Sequence, residues 1–491
     1  MYDLNLSEIQ GIILRGYKHH RYSKYLFFQI EDPAKTKRWL TSVIPEITTS
    51  VPWADKSAKP ATSFNIAFTY SGVTALGYED TTKTFSREFK EGMAEENRSR
   101  MLGDTDASDP EKWELGGPTG QLSKDNIQIL LMLYGVDWAS LDEYARRHKE
   151  RIDEAGGLKL LYEQDSYINE QNEEPFGFRD GLSQPAVEGY GHSLSDAGSD
   201  DGGTLRGEDI VKAGEFILGY PNEYNQLPIT PTVPIVKDEK GLLPLLPPDP
   251  DKPDQPSTDT IRDFGQNGTY LVYRKLEQDV AGFWSFMNKA AGGPGKGVRL
   301  AAKFMGRWPS GAPLVLCPEQ DDPAIAADPE RLNDFKYHEA DPHGFKCPKG
   351  SHIRRSNPRD SLEPGPEESR IVVNRHRIIR RGRPYGVPAP DSPAQAKAGD
   401  TKGIIFIAIN ASIKRQFEFV QQMWVDDQKF DGLYDNMDGV TGSIESSTTM
   451  TIQDKPVRRR IRNVPRFVTV KGGGYFFMPS IAALKYLSSS V

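Results

Sequence analysis

Glu174-Pro175-Phe176-Gly177-Phe178-Arg179-Asp180-Gly181-Leu182-Ser183-Gln184-Pro185 is the stretch on which the interpretation of this sequence depends. It places a charged residue, Asp180, between two glycines in a short apolar run bounded by prolines. Glycine lets the backbone turn tightly and approach another body closely. A carboxylate in such a turn, beside Phe176 and Phe178, can be partly dehydrated and then act as an acid or a base. The run is also typical of an ordinary turn with a capping aspartate, so on its own it leaves both interpretations open.

Two later segments add chemistry that the turn alone lacks. The first is Cys347-Pro348-Lys349-Gly350-Ser351-His352-Ile353-Arg354-Arg355, which contains one of only eight histidines. The second is Arg377-Ile378-Ile379-Arg380-Arg381-Gly382, a basic run typical of a strand end. Taken singly, His352 is also consistent with a structural histidine and Arg380 with a structural ion pair.

In this order, the three segments resemble dye-decolorizing peroxidases. The family's G-x-x-D-G motif corresponds to Gly177–Gly181, its haem-ligating histidine to His352 and its distal arginine to Arg380. The separation from His352 to Arg380 (380 − 352 = 28 residues) also fits the family. The resemblance covers most of the chain, from Ile9 to the C-terminal region.

The order of predicted elements indicates an α+β fold with two related halves. In the first half, strand candidates at 25–30, 64–70, 127–134 and 158–162 alternate with two helices, and a long insertion holds a further helix near 87–101. We expect Asp32 to cap the first helix, with Pro33 at its first position, and Ser140 and Glu143 to form a capping box at the second. Strand candidates at 269–273, 377–380, 404–409 and 475–478 repeat the layout. This pattern predicts duplicated ferredoxin-like domains, in which helices pack on antiparallel sheets, and the resemblance implies that the two units together hold a haem.

Proline content suggests where the chain divides. Nine prolines fall within the 29 residues from Pro228 to Pro256, so regular secondary structure is not expected there. We predict an N-terminal ferredoxin-like domain at 1–225, a Pro-rich linker or insertion at 226–260, and a C-terminal ferredoxin-like, haem-binding domain at 261–491.

Composition narrows the class of protein. The 491 residues are 37% hydrophobic and 26% charged, with a net charge of −8, so we expect neither nucleic acid nor a membrane as a partner. The start of the chain lacks the basic and apolar regions of a secretory signal, which predicts a cytoplasmic protein but leaves a mature exported form open. Two cysteines, Cys317 and Cys347, are too few for a disulfide framework, and we expect both to be free, buried thiols.

The resemblance implies that His352 binds the iron of haem b (iron protoporphyrin IX). A ligand histidine needs an acceptor on its other ring nitrogen, which raises its basicity. We expect Glu418, on a helical stripe with Trp424, to be that acceptor, with Asp360 as the alternative; a solvent-facing position is equally consistent with Glu418.

Further cofactor contacts are expected from residues near these motifs. Arg354 and Gln184 are candidates for binding the haem carboxylates. Ile404 and Phe406 match the family segment that covers the distal pocket, and strand alternation places both on one face.

On the distal side, the resemblance implies two catalytic residues, Asp180 and Arg380. Asp180 would move a proton between the two peroxide oxygens, and Arg380 would stabilise the developing negative charge. Aspartate has a lower intrinsic pKa than histidine, which predicts an acidic activity optimum. Bulky substrates would be oxidised at the surface through Tyr385 or Trp424, although both are also consistent with plain packing residues.

The sequence therefore predicts a haem peroxidase of the dye-decolorizing type. Its substrates would be hydrogen peroxide and aromatic reductants such as dyes and phenols, and the protein would be a monomer or a homodimer. A haem-handling protein with incidental peroxidase activity, and a ferredoxin-like binding scaffold without haem, are the competing interpretations. The acidic, histidine-containing segment 338–343 is predicted to be a loop rather than a metal site, because Pro342 interrupts it.

Overall fold

The computed structural model describes residues 3–54, 58–190, 210–247, 260–386 and 401–489. The strands in these ranges are β1 Tyr22–Ile30, β2 Thr62–Phe68, β3 Ile129–Gly135, β4 Leu158–Tyr167, β5 Ala186–Val187, β6 Ile210–Val211, β7 Thr232–Pro234, β8 Ile261–Asp263, β9 Thr269–Gln278, β10 Ile379–Arg380, β11 Arg383–Gly386, β12 Lys402–Asn410, β13 Thr448–Ile452, β14 Arg459–Val464 and β15 Val468–Met478.

The α-helices are short apart from α2, α7 and α8. They are α1 Gly11–Leu14, α2 Pro33–Val43, α3 Tyr70–Ala75, α4 Glu79–Thr82, α5 Arg87–Glu91, α6 Glu96–Met101, α7 Trp138–Ala155, α8 Val280–Ala290, α9 Gly297–Met305, α10 Pro323–Ala327, α11 Tyr337–Ala340, α12 His352–Ser356, α13 Pro366–Asn374 and α14 Ile481–Ser488. Lys414–Glu418 and Val420–Val425 form π-helix, and short 3₁₀ turns include Ile44–Glu46 and Phe430–Gly432.

One antiparallel sheet of nine strands organises the molecule. Its order is β10-β12-β9-β15-β2-β3-β1-β4, with β11 also paired to β12. The half β2-β3-β1-β4 has the ferredoxin-like connection β1-α2-β2-β3-α7-β4, and the half β10-β12-β9-β15 repeats that strand order. The halves join where Phe477 of β15 pairs with Phe68 of β2, and β11 also lies against β4, so the sheet curves towards closure. The predicted fold class, duplicated ferredoxin-like units with helices on antiparallel sheets, is confirmed.

Helix starts in the first half follow local capping chemistry. Asp32 accepts a hydrogen bond from the Lys35 amide at 3.0 Å and Pro33 opens α2, as predicted. The predicted capping box at Ser140 is wrong. The N-cap of α7 is Asp137, three residues before Ser140, and its carboxylate accepts from the Ser140 amide at 2.7 Å. The predicted helix near 87–101 is two helices, α5 and α6, since Gly92 between them has a φ of +78°.

The described part of the proline-rich segment packs against the body of the protein. β7 pairs with β8, and the Val233 and Leu243 side chains lie in the main hydrophobic core. Residues 248–259 of this segment lie outside the described residues. The domain boundaries at 225 and 260 stay a prediction.

The second half carries a long excursion between its first two strands. Helices α9 to α13 all fall between α8 and β10, and they build the region from which His352 projects. Cys317 and Cys347 are free and buried, as expected. None of the helices described here is long and apolar enough to cross a membrane.

Candidate active site

A cavity of about 310 Å³ lies beside the second half of the sheet. Its walls include His352, Asp180 and Arg380, three residues that are far apart in the sequence. Three separate elements deliver them: α12 carries His352, the loop after β4 carries Asp180, and β10 carries Arg380. The volume falls within the roughly 300–1,000 Å³ typical of ligand pockets.

Asp180 sits in the tight turn that the sequence predicts. Gly177 and Gly181 have φ angles of +90° and +71°, which non-glycine residues rarely adopt. The Asp180 amide donates to the Asn172 carbonyl at 2.8 Å, and its carboxylate accepts from the Gly181 amide at 2.6 Å. The side chain is 37% accessible, so the carboxylate faces the open cavity.

Arg380 is held by its backbone, which leaves its guanidinium at the cavity. Gln184 makes both hydrogen bonds of a pair with Arg380: its Oε1 accepts from the Arg380 amide at 2.9 Å and its Nε2 donates to the Arg380 carbonyl at 3.0 Å. The guanidinium donates to the Ser183 carbonyl at 3.1 Å and lies 3.4 Å from the Asp180 carboxylate. Gln184 therefore positions Arg380 and is not among the cavity-lining residues, which corrects its expected cofactor contact.

The acceptor at His352 is Asp438. His352 Nδ1 lies 2.8 Å from Asp438 Oδ2, and Asp438 Oδ1 accepts from the Val440 and Thr441 amides. Burial lowers the pKa of His352, but the Asp438 carboxylate has the larger effect, so the pKa of His352 is raised overall. Burial raises the pKa of Asp438, but the interaction with His352 has the larger effect, so the pKa of Asp438 is lowered overall. Since a carboxylate only accepts, Nδ1 donates, and in the neutral ring Nε2 keeps its lone pair.

The expected acceptors Glu418 and Asp360 are both engaged elsewhere. Glu418 accepts two hydrogen bonds from Arg98 at 2.8 and 2.9 Å and one from the Tyr475 hydroxyl. Asp360 accepts from the Tyr337 amide. The expectation for Glu418 is therefore wrong, because a guanidinium from the first-half insertion occupies its carboxylate. Asp438 is not predicted from the sequence, because its only local signal is a turn-forming Asp-Gly pair.

Arg355 fixes the loop that carries Asp438. Its guanidinium is fully buried and donates to the backbone carbonyls of Trp424, Asp427 and Asn436. Arg355 thus holds in place the loop from which Asp438 reaches His352, and both Arg355 and His352 lie on α12.

Arg354, the neighbour of Arg355, does not face the cavity. It donates to the Asp341 and Cys347 carbonyls and is stacked over Tyr337. Its expected cofactor contact is therefore corrected. Arg179 and Arg359 line the cavity instead, and among the described residues the side chain of each makes one hydrogen bond, to the carbonyl of Ala326 and of Asn357 respectively.

The remaining walls are largely apolar. Ile404 and Phe406 of β12 both line the cavity, whereas Ile405 between them points into the other core. Phe178 and Leu182, from the turn that carries Asp180, also line it.

The two residues expected at the surface are both buried. Tyr385 is 4% exposed and Trp424 is 5% exposed, and neither lines the cavity. Tyr385 packs in the core beside β12, and Trp424 packs against His376 and Phe419. Neither side chain is itself exposed to a bulky substrate, and an electron route through either ring stays a prediction. No group of three or more metal-ligating side chains occurs among the described residues, 338–343 included.

Comparison with known proteins agrees with this architecture. A family model described as "DyP dimeric alpha+beta barrel domain" matches residues 8–156. The chain is 29% identical to dye-decolorizing peroxidase AauDyP1 of Auricularia auricula-judae over 98% of this chain and 86% of the relative. It is also 29% identical to a dye-decolorizing peroxidase of Mycena epipterygia, over 99% and 88%. The chain is therefore similar to dye-decolorizing peroxidases over nearly its whole length.

Solved structures of dye-decolorizing peroxidases share the whole fold. AauDyP complexed with imidazole superposes with a TM-score of 0.77 at 26% identity, covering 99% of this chain and 100% of the other. An ancestral D-type dye-decolorizing peroxidase gives 0.78 at 27% identity, with complete coverage of both chains. The enzyme class expected from the sequence, a peroxidase of the dye-decolorizing type, is confirmed by these relatives.

Proposed function

We propose that this protein is a haem peroxidase that reduces hydrogen peroxide and oxidises dyes, phenols and other aromatic compounds in one-electron steps. The observation that carries the proposal is the meeting of His352, Asp180 and Arg380 at one cavity in a chain that is similar to dye-decolorizing peroxidases over nearly its whole length. An imidazole with a buried carboxylate behind it, together with a carboxylate and a guanidinium 3.4 Å apart, is a suitable donor set for peroxide chemistry at iron.

The residues present fit a haem. His352 offers Nε2 as the iron ligand, and Asp438 holds the ring by its Nδ1. Arg179 and Arg359 have guanidinium N–H groups left for the two carboxylates of the cofactor, and Ile404 and Phe406 offer apolar contacts. When bound, the haem supplies the electrons that cleave the O–O bond and takes them back, one at a time, from the aromatic substrate.

Asp180 and Arg380 divide the work on peroxide. The Asp180 carboxylate takes the proton from one peroxide oxygen and returns it to the other, which leaves as water. Arg380 keeps a fixed positive charge beside the developing negative charge, and its hydrogen bonds to Ser183 and Gln184 keep that charge in place without reorganisation.

The proposal is tested by the reaction of the haem-loaded protein with one equivalent of hydrogen peroxide in stopped flow. Asp180→Asn and Arg380→Leu should retain haem and react about 10²–10⁴-fold more slowly. Glu173→Gln is the matched control, because this carboxylate adjoins the same turn and does not line the cavity. Wild-type rates in both variants, or a wild-type protein that binds haem and does not turn over peroxide, would contradict the proposal.

A further inference from the structure

Glu174 is a buried carboxyl group for which the peroxide mechanism has no use. It lies at the start of the turn that carries Asp180, is almost fully buried and lines the cavity. Burial of a carboxylate is costly unless its oxygens are hydrogen-bonded. Glu174 accepts three hydrogen bonds, and these offset the cost of burying its carboxylate.

Two of these bonds come from the backbone of the turn. Glu174 Oε2 accepts from the Phe176 amide and Oε1 from the Phe178 amide, each at 3.0 Å. The turn also closes on the Glu174 backbone, since its amide donates to the Phe178 carbonyl and its carbonyl accepts from the Gly177 amide. The polypeptide therefore winds around one side chain in the residues just before Asp180.

The third bond ties this side chain to the sheet. Gln278, the last residue of β9, donates from Nε2 to Glu174 Oε2 at 2.8 Å. Burial raises the pKa of Glu174 to about 7, opposed by these three hydrogen bonds and assisted by the nearby Asp180 charge. The bond from Gln278 links the turn to β9.

The geometry points to Glu174 as a positioning residue for Asp180. Its carboxylate fixes the turn from the inside and joins it to β9, so that the Asp180 carboxylate stays beside Arg380. The inference rests on the proposed function, because it matters for activity only if Asp180 moves the proton. A displacement of about 1 Å at a reacting group is enough to cost two orders of magnitude in rate.

Glu174→Gln is the informative substitution, because it keeps the shape and removes one acceptor. Whichever oxygen becomes NH₂, at least one of the Phe176 and Phe178 amides loses its acceptor and faces a donor. We expect haem binding to be retained, the rate constant with peroxide to fall at least tenfold, and amide hydrogen exchange across 175–179 to accelerate. The Glu173→Gln control should match wild type in all three measurements.

A double-mutant cycle separates positioning from a general structural defect. If Glu174 acts through Asp180, Glu174→Gln should change the peroxide rate less than twofold in an Asp180→Asn background. The same loss in both backgrounds would overturn the inference, and so would an unchanged rate with unchanged exchange in the single variant.

Two further outcomes remain distinguishable. If Glu174→Gln does not fold, Gln278→Met leaves the carboxylate in place and removes its link to β9; a smaller rate loss that disappears in the Asp180→Asn background supports the inference, and no loss overturns it. If Asp180→Asn alone reacts like wild type, the role of Asp180 fails and the catalytic part of the inference fails with it. Hydrogen exchange across 175–179 then still decides whether Glu174 holds the turn.

Discussion

The two halves of the sheet have the same strand order but enclose different interiors. In the first half, α7 packs on β1 to β4, α2 packs against α7, and every residue of β3 is buried. In the second half, helices α9 to α13 are inserted between α8 and β10, and a cavity of about 310 Å³ opens beside β9 and β12. A repeated strand order therefore sets the backbone frame, while the segments inserted between strands decide whether the interior is filled or open.

Two histidines, His148 in the first half and His352 in the second, express this difference. His148 of α7 packs against Phe64 and Tyr144, and neither ring nitrogen has a hydrogen-bond partner among the described residues. His352 of α12 has Asp438 at Nδ1 and lines the cavity. The first is a packing residue and the second is equipped to bind a ligand, although a lone histidine looks the same in sequence.

The largest expected effect comes from removing His352, the histidine that lines the cavity in the second half. His352→Ala should lose stable haem binding, because no other cavity residue is proposed as the iron ligand. Titration with haem, followed by absorption in the Soret region, measures this. His148→Leu is the matched control and should bind haem like wild type. A His352→Ala protein with wild-type affinity and spectrum would remove the distinction between the two histidines.

His148, the buried histidine of the first half, should instead affect the free energy of unfolding at low pH. Burial lowers the pKa of His148 from 6.5 to about 4. Between these values the unfolded chain binds the proton and the folded protein does not, so stability is lost as pH falls from 6.5 to 4, up to about 3 kcal/mol in total. Above pH 6.5 the protonation term is constant.

Urea unfolding at several pH values tests this contribution. His148→Leu lacks the titrating group, so its free energy of unfolding should fall less than that of wild type between pH 6.5 and 4. Other groups titrate in both proteins and cancel in the difference. Parallel curves for the two proteins would show that His148 is not protonated on unfolding.

A smaller effect is expected from changing Asp438, the hydrogen-bond acceptor of His352 Nδ1. Asp438→Asn keeps an acceptor for His352 Nδ1 and loses the negative charge, so haem affinity should fall about 10–100-fold. The reduction potential of the iron should rise, because the ligand becomes less electron-rich. Asp426→Asn is the control: Asp426 is half-buried, accepts from Ser443 and Gln421, and does not contact His352. Equal losses in the two variants would reduce Asp438 to a structural role.

Local patterns predicted the parts of the site that local chemistry determines. The Asp180 turn follows from its glycines, and the shared face of Ile404 and Phe406 follows from strand alternation. Asp438 could not be found in this way, because it is 86 residues from His352 and only tertiary folding brings them together.

The wrong expectations have the same cause. Glu418 lies on a suitable helix face, but Arg98, 320 residues away in the chain, binds it. The capping box predicted at Ser140 fails because Asp137, three residues earlier, caps α7 instead. The fold class was predictable because it depends on the order of elements, whereas contacts between elements depend on their docking.

The smallest effect should come from a residue where the two halves meet. Tyr385 of β11 is buried, and its hydroxyl has no hydrogen-bond partner among the described residues. Removing a buried polar group that makes no hydrogen bond is close to neutral or stabilising, so Tyr385→Phe should change the free energy of unfolding by less than about 1 kcal/mol. Because Tyr385 is 4% exposed, the variant should also oxidise a bulky anthraquinone dye and a small phenol in the wild-type ratio. Steady-state rates with both substrates measure this ratio. A selective loss of the dye reaction would show that an oxidising route passes through this buried ring, and that the seam between the halves has a function beyond packing.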